Sequence, residues 1–236
     1  MKTLVVANSA GGVGKSTSAH CIAVAASEYG KKVLVIDADP AAGITFACGI
    51  ENPRVSTKEF LSGQFSLEAA IIKSGERFSI IASSSRLLAL DIDHAITAKK
   101  LVELLNGFDL VIIDTPTGVS RITNYFMAIA DLILISSTTE ILSLRGALNS
   151  KDYAEGAGYG GELLLLITKT EQALDNEFKS LIGDDFKLIE PTIRFSLQVS
   201  TAQSQAMSIL TLDAKSEVAA DYREVTYSIL EKLELI

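Results

Sequence analysis

The sequence is poor in the residues that build disulfides and metal centres. Its 236 residues include two cysteines and two histidines. Cys21 and Cys48 form no CxxC pair and no cysteine–histidine ligand set, so we expect reduced thiols rather than a disulfide or an iron–sulfur cluster. His20 and His94 are expected to be structural or surface residues.

Long hydrophobic runs are also missing. No apolar stretch reaches the roughly 18 residues that a membrane-spanning helix needs, and the N-terminus has no signal-peptide pattern. The C-terminal residues 225–236 carry Glu231 and Glu234 against one cation, Lys232, which is a poor match for an anionic lipid surface. We therefore expect a cytoplasmic protein that binds no membrane and packs its last helix on its own core.

Positive charge is scarce as well. The 21 lysines and arginines face 29 aspartates and glutamates, which gives a net charge of −8. This field opposes nucleic-acid binding but leaves room for a local basic patch. The scattered candidates for such a patch are Arg194, Lys215, Arg223 and Lys232. Each is better explained as an ordinary solubilising charge.

Short apolar runs that alternate with amphipathic stretches are abundant. Strands are predicted at residues 4–7, 32–37, 78–82, 109–114, 132–135, 163–167 and 191–193, and helices at 16–29, 97–105 and 140–155. Continuous apolar strands separated by helices predict an α/β fold, with a mostly parallel twisted sheet covered by helices on both faces. No linker or internal repeat interrupts the chain, so residues 1–236 are expected to form a single domain.

A glycine-rich turn lies between the first predicted strand and the first predicted helix. It consists of Gly11, Gly12, Val13, Gly14, Lys15, Ser16 and Thr17. Backbone N–H groups of such a turn surround a phosphate, and the helix N-terminus adds its positive dipole. We expect Lys15 on the β- and γ-phosphates, Ser16 on Mg²⁺ and Thr17 near the α-phosphate. Ser9 replaces the first glycine of the general pattern, and a chance sequence in a flexible loop is the alternative.

Carboxylates close two of the predicted strands. Asp114 follows four apolar residues, which is the pattern of a Walker B segment that holds Mg²⁺ through water. Asp37 and Asp39 end the second strand, where Asp37 is predicted to join the metal shell and Asp39 to orient the attacking water. Lys169 is predicted to bind the nucleotide as well. The alternative for the acids is a turn or helix cap after a strand.

These segments resemble the ParA/MinD family of deviant Walker ATPases. The resemblance rests on residues 11–17, 35–40 and 109–116, with a weaker match over 212–222. It implies a single-domain P-loop ATPase that uses ATP and Mg²⁺ and forms an ATP-dependent sandwich homodimer. It further implies hydrolysis stimulated by an adaptor protein, non-specific DNA binding on the nucleoid and positioning of an intracellular cargo.

One position departs from the family pattern. The family carries a lysine directly before the Gly-Gly pair, and this lysine reaches the partner's ATP; here the position is Ala10. In lacking this lysine the sequence resembles the McdA branch of the family, which spaces carboxysomes. Plasmid and chromosome partition ATPases are the alternative assignment. The helix at 140–155 offers Arg145 and Lys151 as substitutes. We favour Lys151 as the catalytic cation, against the alternative of a solvated surface lysine. Ile141, Leu144 and Leu148 are expected to be that helix's buried stripe.

Two other function classes stay open. An ATP-dependent ligase on this fold would need a second polar pocket, and the sequence displays no such set of residues. A nucleotide-binding scaffold with weakened hydrolysis is suggested by Ala10, whereas Lys15, Asp39 and Asp114 argue for turnover.

Overall fold

The computed structural model describes residues 1–118, 120–183 and 185–236. Nine strands lie within them: β1 (Lys2–Ala7), β2 (Val33–Asp37), β3 (Ile71–Lys73), β4 (Ser79–Ile81), β5 (Leu110–Asp114), β6 (Leu132–Ser137), β7 (Leu163–Thr170), β8 (Lys187–Leu188) and β9 (Ile193–Arg194).

Eleven α-helices lie in the same described ranges. They are α1 (Lys15–Glu28), α2 (Gly43–Ala47), α3 (Thr57–Leu61), α4 (Leu67–Ala70), α5 (Ala98–Leu105), α6 (Arg121–Met127), α7 (Ile141–Gly156), α8 (Asn176–Ile182), α9 (Leu197–Ser204), α10 (Ile209–Leu212) and α11 (Glu217–Lys232). Two short 3-10 turns, Ser85–Ala89 and Ile92–His94, follow β4.

The strands form one sheet in the order β3-β4-β2-β5-β1-β6-β7-β8, and β9 also pairs with β7. Every pairing is parallel except β3 with β4, which is antiparallel. Because the chain returns through helices between parallel strands, the carboxyl ends of β1, β2 and β5 meet at one edge. The predicted α/β class with a mostly parallel sheet is confirmed.

Alternate residues of the central strands enter two separate cores. Leu4 and Val6 of β1 face the core formed with α1, α10 and α11, whereas Val5 and Ala7 face the core on the opposite side of the sheet. All four side chains are buried. Burial on both faces explains why these strands are continuously apolar rather than alternating.

All seven predicted strands and the three predicted helices are present, with ends shifted by a few residues. The sequence missed β3 and β8, which have three and two residues. Such short segments are too brief for a periodic pattern to show. The antiparallel β3 is therefore a feature that only the structure reveals.

The last helix packs on its own core, as expected. Ile229, Leu230 and Leu233 are at most 3% exposed, and they join the same core as α1. Across the described residues, none of the helices has both the length and the apolar character needed to cross a membrane.

The cysteines and histidines also have the roles that the sequence suggests. Cys21 and Cys48 are both free thiols. His20 is buried and contacts the Glu76 carboxylate, whereas His94 is exposed and bonds Asp91.

Candidate nucleotide site

The loop between β1 and α1 has the backbone that a phosphate cradle requires. Gly12 and Gly14 have φ angles of 72° and 85°, in the left-handed region that favours glycine. A Cβ atom on Gly14 would lie 3.3 Å from the Thr168 hydroxyl. That hydroxyl donates a hydrogen bond of 2.9 Å to the Val13 carbonyl, which fastens the loop to the end of β7.

Lys15 lies inside this loop and is 6% exposed. Its ammonium group donates to the Ala10 carbonyl at 2.9 Å and to the Thr117 hydroxyl at 3.4 Å. Burial lowers the pKa of Lys15, and the carboxylates of Asp114 and Asp39 oppose that shift. A desolvated ammonium group held by one carbonyl and one hydroxyl is well placed to exchange these partners for phosphate oxygens.

Three carboxylates meet next to Lys15. Asp37 and Asp114 are fully buried and stand opposite each other on β2 and β5, while Asp39 is half-buried beyond the end of β2. Burial raises the pKa of Asp37 to about 7. Burial, followed by the neighbouring Asp37, raises the pKa of Asp114 well above its ordinary value.

The side chains suit Mg²⁺ at this position. Both carboxylate oxygens of Asp114 are buried and, among the described residues, have no hydrogen-bond partner of normal geometry. Burial raises the pKa of Asp114, and the nearby Ser16 hydroxyl opposes that shift. A buried carboxylate without a partner is costly unless a ligand satisfies it. Within the described ranges no three acidic, histidine or cysteine side chains form a metal cage. This matches Mg²⁺, which binds through one or two carboxylates, waters and substrate phosphates. Asp114 and Ser16 would hold the ion.

Asp37 is more heavily engaged than the sequence suggests. Its carboxylate accepts hydrogen bonds from the Thr45 backbone N–H at 3.0 Å, the Thr45 hydroxyl at 2.6 Å and the Asp39 backbone N–H at 3.0 Å. These bonds tie the end of β2 to α2. The assignment of Asp37 to the metal shell stays a prediction.

A cavity of about 370 Å³ opens from the phosphate loop toward α9. Its phosphate end is lined by Gly12, Val13, Gly14, Lys15, Ser16, Thr17 and Asp39. Its far end is lined by the apolar side chains of Ile193, Phe195, Leu197 and Val199. Polar side chains from the same segment, Arg194, Ser196, Ser200 and Gln203, also line the cavity. A chamber of mixed apolar and polar lining joined to a phosphate cradle has the layout of a nucleotide site.

Several residues of this cavity were not found from the sequence. Gln203 donates from its amide nitrogen to the Thr17 hydroxyl at 2.9 Å, and Thr117 bonds Lys15. These side chains come from α9 and from the loop after β5, and no local motif marks them. Lys169, which the sequence did single out, lines the cavity and donates to the Gly12 carbonyl at 2.7 Å.

Lys151 lies away from this cavity. Its ammonium group bonds the Asp185 carboxylate and lies 3.9 Å from Glu155 on the same helix. Hydrogen bonding to Asp185 raises the pKa of Lys151. Arg145 is exposed on the same helix. A role for Lys151 across a dimer interface stays a prediction.

The predicted buried stripe of α7 is wrong at two of its three positions. Leu144 is buried, but Ile141 and Leu148 are 67% and 44% exposed. The surface that packs on the sheet instead contains small residues, among them Gly146. A Cβ atom on Gly146 would lie 2.4 Å from the Asn8 side-chain oxygen and 2.8 Å from the Ala10 backbone nitrogen. Helix α7 therefore touches the phosphate loop directly.

Three of the four candidate DNA-binding cations are neutralised by neighbouring acids. Arg194 forms a two-point contact with Asp221 at 2.7 and 2.8 Å and also binds Glu217. Two others have one acidic partner each: Arg223 pairs with Glu28, and Lys232 with Glu162. Among the described residues these three cations are paired with acids rather than grouped into a basic surface. In the monomer they are therefore better explained as solubilising charges than as a DNA-binding patch.

Comparison with known proteins places this site in a family. A family model described as an AAA domain matches residues 1–152, more than half of the chain. The chromosome-partitioning ATPase Soj of Treponema pallidum is 25% identical over 257 residues, which covers 98% of each chain. The fold and the phosphate loop define a P-loop nucleotide-binding protein. The chain belongs to the AAA-domain family of ParA/MinD-type ATPases.

Two further similarities concern ATP binding and the fold. An uncharacterized ATP-binding protein of Methanocaldococcus jannaschii is 35% identical over 159 residues, which cover 66% of this chain and 60% of that protein. The chain thus spans less than two thirds of that relative's length. The solved structure of apo McdA from Cyanothece superposes with a TM-score of 0.83 at 21% identity, covering 97% of this chain and 99% of McdA. This likeness shows the shared fold.

Proposed function

We propose that the chain, acting as one P-loop domain over residues 1–236, is an ATP-driven positioning switch. It binds MgATP, closes into a sandwich homodimer, hydrolyses ATP and returns to the monomer. In hydrolysis a water oxygen bonds the γ-phosphorus and the bond to the β–γ bridging oxygen breaks. ADP leaves with that electron pair, and the water's proton passes to the released phosphate. Asp39 orients this water.

The observation that carries the proposal is that Lys15 lies near Asp114, whose carboxylate has no hydrogen-bond partner in the described structure. Burial lowers the pKa of Lys15, which donates hydrogen bonds to one carbonyl and one hydroxyl, and the Asp114 oxygens have no hydrogen-bond partner in the described structure. Triphosphate would satisfy the first and Mg²⁺ the second. A buried carboxylate without a hydrogen-bond partner, next to a lysine that no acid neutralises directly among the described residues, suits the binding of MgATP.

Exposed apolar side chains at the same sheet edge support the homodimer. Leu88, in the turn after β4, is 78% exposed, and Ile141 and Leu142, at the start of α7, are 67% and 71% exposed. They follow the carboxyl ends of parallel strands, as the phosphate loop does. Apolar surface around a nucleotide site fits an interface that forms when the nucleotide bridges two copies. In such a dimer Lys151 is the candidate cation for the partner's phosphates.

The cargo that we favour is the carboxysome, with the nucleoid as the track and an adaptor protein that stimulates hydrolysis. Support comes from Ala10 in place of the family lysine and from the shared fold with McdA. Plasmid or chromosome partition is the second candidate, and the alignment with Soj along nearly the whole chain favours it. Because Arg194, Arg223 and Lys232 are paired with acids, DNA binding would need a surface assembled across the dimer.

Phosphate release with and without Mg²⁺ and non-specific duplex DNA tests this proposal. We expect slow, Mg²⁺-dependent release from the native protein and DNA co-sedimentation only with ATP. Lys15→Ala should show neither. Tight ATP binding without phosphate release would mean that the protein is a nucleotide-binding scaffold and not a switch. Release that requires a small carboxylic acid would replace it by an ATP-dependent ligase.

A further inference from the structure

A second cavity lies on the far side of Asp39 from the phosphate loop. It measures about 470 Å³, and Asp39 and Thr117 line both this cavity and the nucleotide cavity. Thr117 accepts a hydrogen bond from Lys15, the residue expected on the β- and γ-phosphates. The two cavities therefore meet where the γ-phosphate of a bound triphosphate would end.

The γ-phosphate end is rich in negative charge and poor in cations. Asp39 and Asp114 lie near Lys15, Asp37 lies beside Asp114, and the family lysine is replaced by Ala10. A triphosphate adds about four negative charges, and phosphoryl transfer needs cations that neutralise the charge developing on the phosphate. Lys15 and one Mg²⁺ together do not neutralise the negative charge of the triphosphate and the neighbouring carboxylates.

Most other cations that line the two cavities already have hydrogen-bond or ion-pair partners. Among the described residues of the nucleotide cavity, Arg194 is held by Asp221 and Glu217, and Lys169 donates to the Gly12 carbonyl of the phosphate loop, where it is already predicted to bind the nucleotide. The second cavity contributes Arg121, the first residue of α6. In the sequence Arg121 follows Asp114, the last residue of β5, by seven positions.

Arg121 is held by a contact that can be broken at little cost. Its guanidinium group pairs with Asp93, and the two side chains are 67% and 65% exposed. Exposed ion pairs contribute little to stability because water and salt screen them. A guanidinium group also matches the oxygens of a phosphate better than an ammonium group does, since it donates through a planar fork.

We propose that Arg121 is a catalytic residue that binds the γ-phosphate within its own subunit. It leaves Asp93 when ATP fills the phosphate loop, enters from the second cavity beside Asp39 and stabilises the charge on the γ-phosphate oxygens during hydrolysis. This role rests on the proposed ATPase function but needs no dimer. It is distinct from a contribution of Lys151 across the interface.

The γ-phosphate is the only group that separates ATP from ADP, so the ratio of their affinities tests the proposal. Titration calorimetry with the non-hydrolysable imido analogue of ATP and with ADP, both with Mg²⁺, gives this ratio without turnover. Arg121→Ala should weaken the analogue about tenfold and leave ADP within about twofold. Arg121→Lys should recover part of the loss. The control is Lys179→Ala. Lys179 is an exposed cation on α8 that lies 3.9 Å from Glu190, and its removal should change neither affinity.

Turnover supplies the second readout. Phosphate release by Arg121→Ala should fall about a thousandfold, as for other arginines that contact a transferred phosphate. Equal weakening of both nucleotides, or an unchanged ratio, would overturn the proposal. The native protein could also prefer the analogue through Arg121 and yet neither dimerise nor release phosphate. That result would remove the switch and leave the role of Arg121 in binding the γ-phosphate intact.

Discussion

Asp37 and Asp114 stand opposite each other at the ends of two neighbouring parallel strands, β2 and β5, and both are fully buried. Asp37 accepts hydrogen bonds from Thr45 and from the backbone N–H of Asp39, whereas the Asp114 oxygens have no hydrogen-bond partner in the part of the chain that the structure describes. Burial raises the pKa of both carboxyl groups, and the neighbouring Asp37 raises the pKa of Asp114 further, because desolvation and a neighbouring like charge disfavour the ionised form. Mg²⁺ bound beside them would favour the ionised form instead.

The first prediction concerns stability against pH. The ordinary pKa of Asp37 is 3.8, and burial raises it to about 7 in the folded protein. Between these values the folded state keeps a proton that the unfolded chain releases, so the free energy of unfolding contributed by this group falls as pH rises from about 4 to about 7. Urea denaturation of the nucleotide-free protein at pH 5 and pH 7 measures this.

Other carboxylates also contribute to the pH dependence of the free energy of unfolding, so a variant that lacks only the Asp37 carboxyl is needed. Hydrogen bonds and the partners Arg86 and His20 hold the pKa values of Glu59 and Glu76 at about 2, despite the burial that opposes these shifts, and their stabilisation is lost only in acid. Asp37→Asn removes the titrating group at β2 alone. The loss of stability between pH 5 and pH 7 should shrink in this variant. Identical pH dependence in both proteins would contradict the assignment.

A second prediction separates ligand binding from folding at Lys15. Lys15→Ala removes the ammonium group that would meet the β- and γ-phosphates, so ATP affinity should fall at least about a hundredfold. The nucleotide-free protein should keep its thermal stability, because burial already disfavours this charge. Calorimetric titration and a thermal melt measure both quantities. A variant that unfolds would instead mean that Lys15 supports the fold.

The third prediction concerns the water-orienting carboxylate. Asp39 is half-buried and its Oδ1 accepts a hydrogen bond of 2.8 Å from the Ala41 backbone N–H. Asp39→Ala should bind MgATP like the native protein but release phosphate at least about tenfold more slowly, so the ATP-bound dimer should persist. Time-resolved light scattering after a limiting amount of ATP measures its lifetime. A dimer that decays as fast as the native one would exclude this role.

The fourth prediction tests the contact between α7 and the phosphate loop. Alanine is normally better than glycine inside a helix, by about 1 kcal/mol. At Gly146, however, the added Cβ atom would meet Asn8 and Ala10 at under 3 Å. Gly146→Ala should therefore lower the free energy of unfolding by about 1–3 kcal/mol and weaken ATP binding.

Gly156 provides the matched control on the same helix. A Cβ atom there would meet no atom of the described residues within 4 Å. Gly156→Ala should leave ATP affinity unchanged and stability equal or slightly higher, measured by the same titration and denaturation. If both alanine variants behave alike, the contact of α7 with the phosphate loop does not govern the site.

The sequence predicts those features that depend on neighbouring residues. Buried strands appear as apolar runs, and the phosphate loop appears as glycines between a strand and a helix. The contact of Gly146 with Ala10 joins residues 136 positions apart and leaves no local pattern. Likewise the pairing of Arg194 with Asp221 turns a candidate basic residue into part of an ion pair. Ile141 looks like a core residue by spacing, yet it is exposed at the start of α7.

The molar mass of the protein in solution, measured by light scattering with MgATP, with MgADP and without nucleotide, tests the central claim most directly. The account predicts a dimer with MgATP and a monomer in the other two conditions. Lys15→Ala should stay monomeric throughout, and Lys151→Ala should shift the ATP-bound protein toward monomer. A native protein that binds MgATP and remains monomeric at every concentration would contradict the sandwich switch.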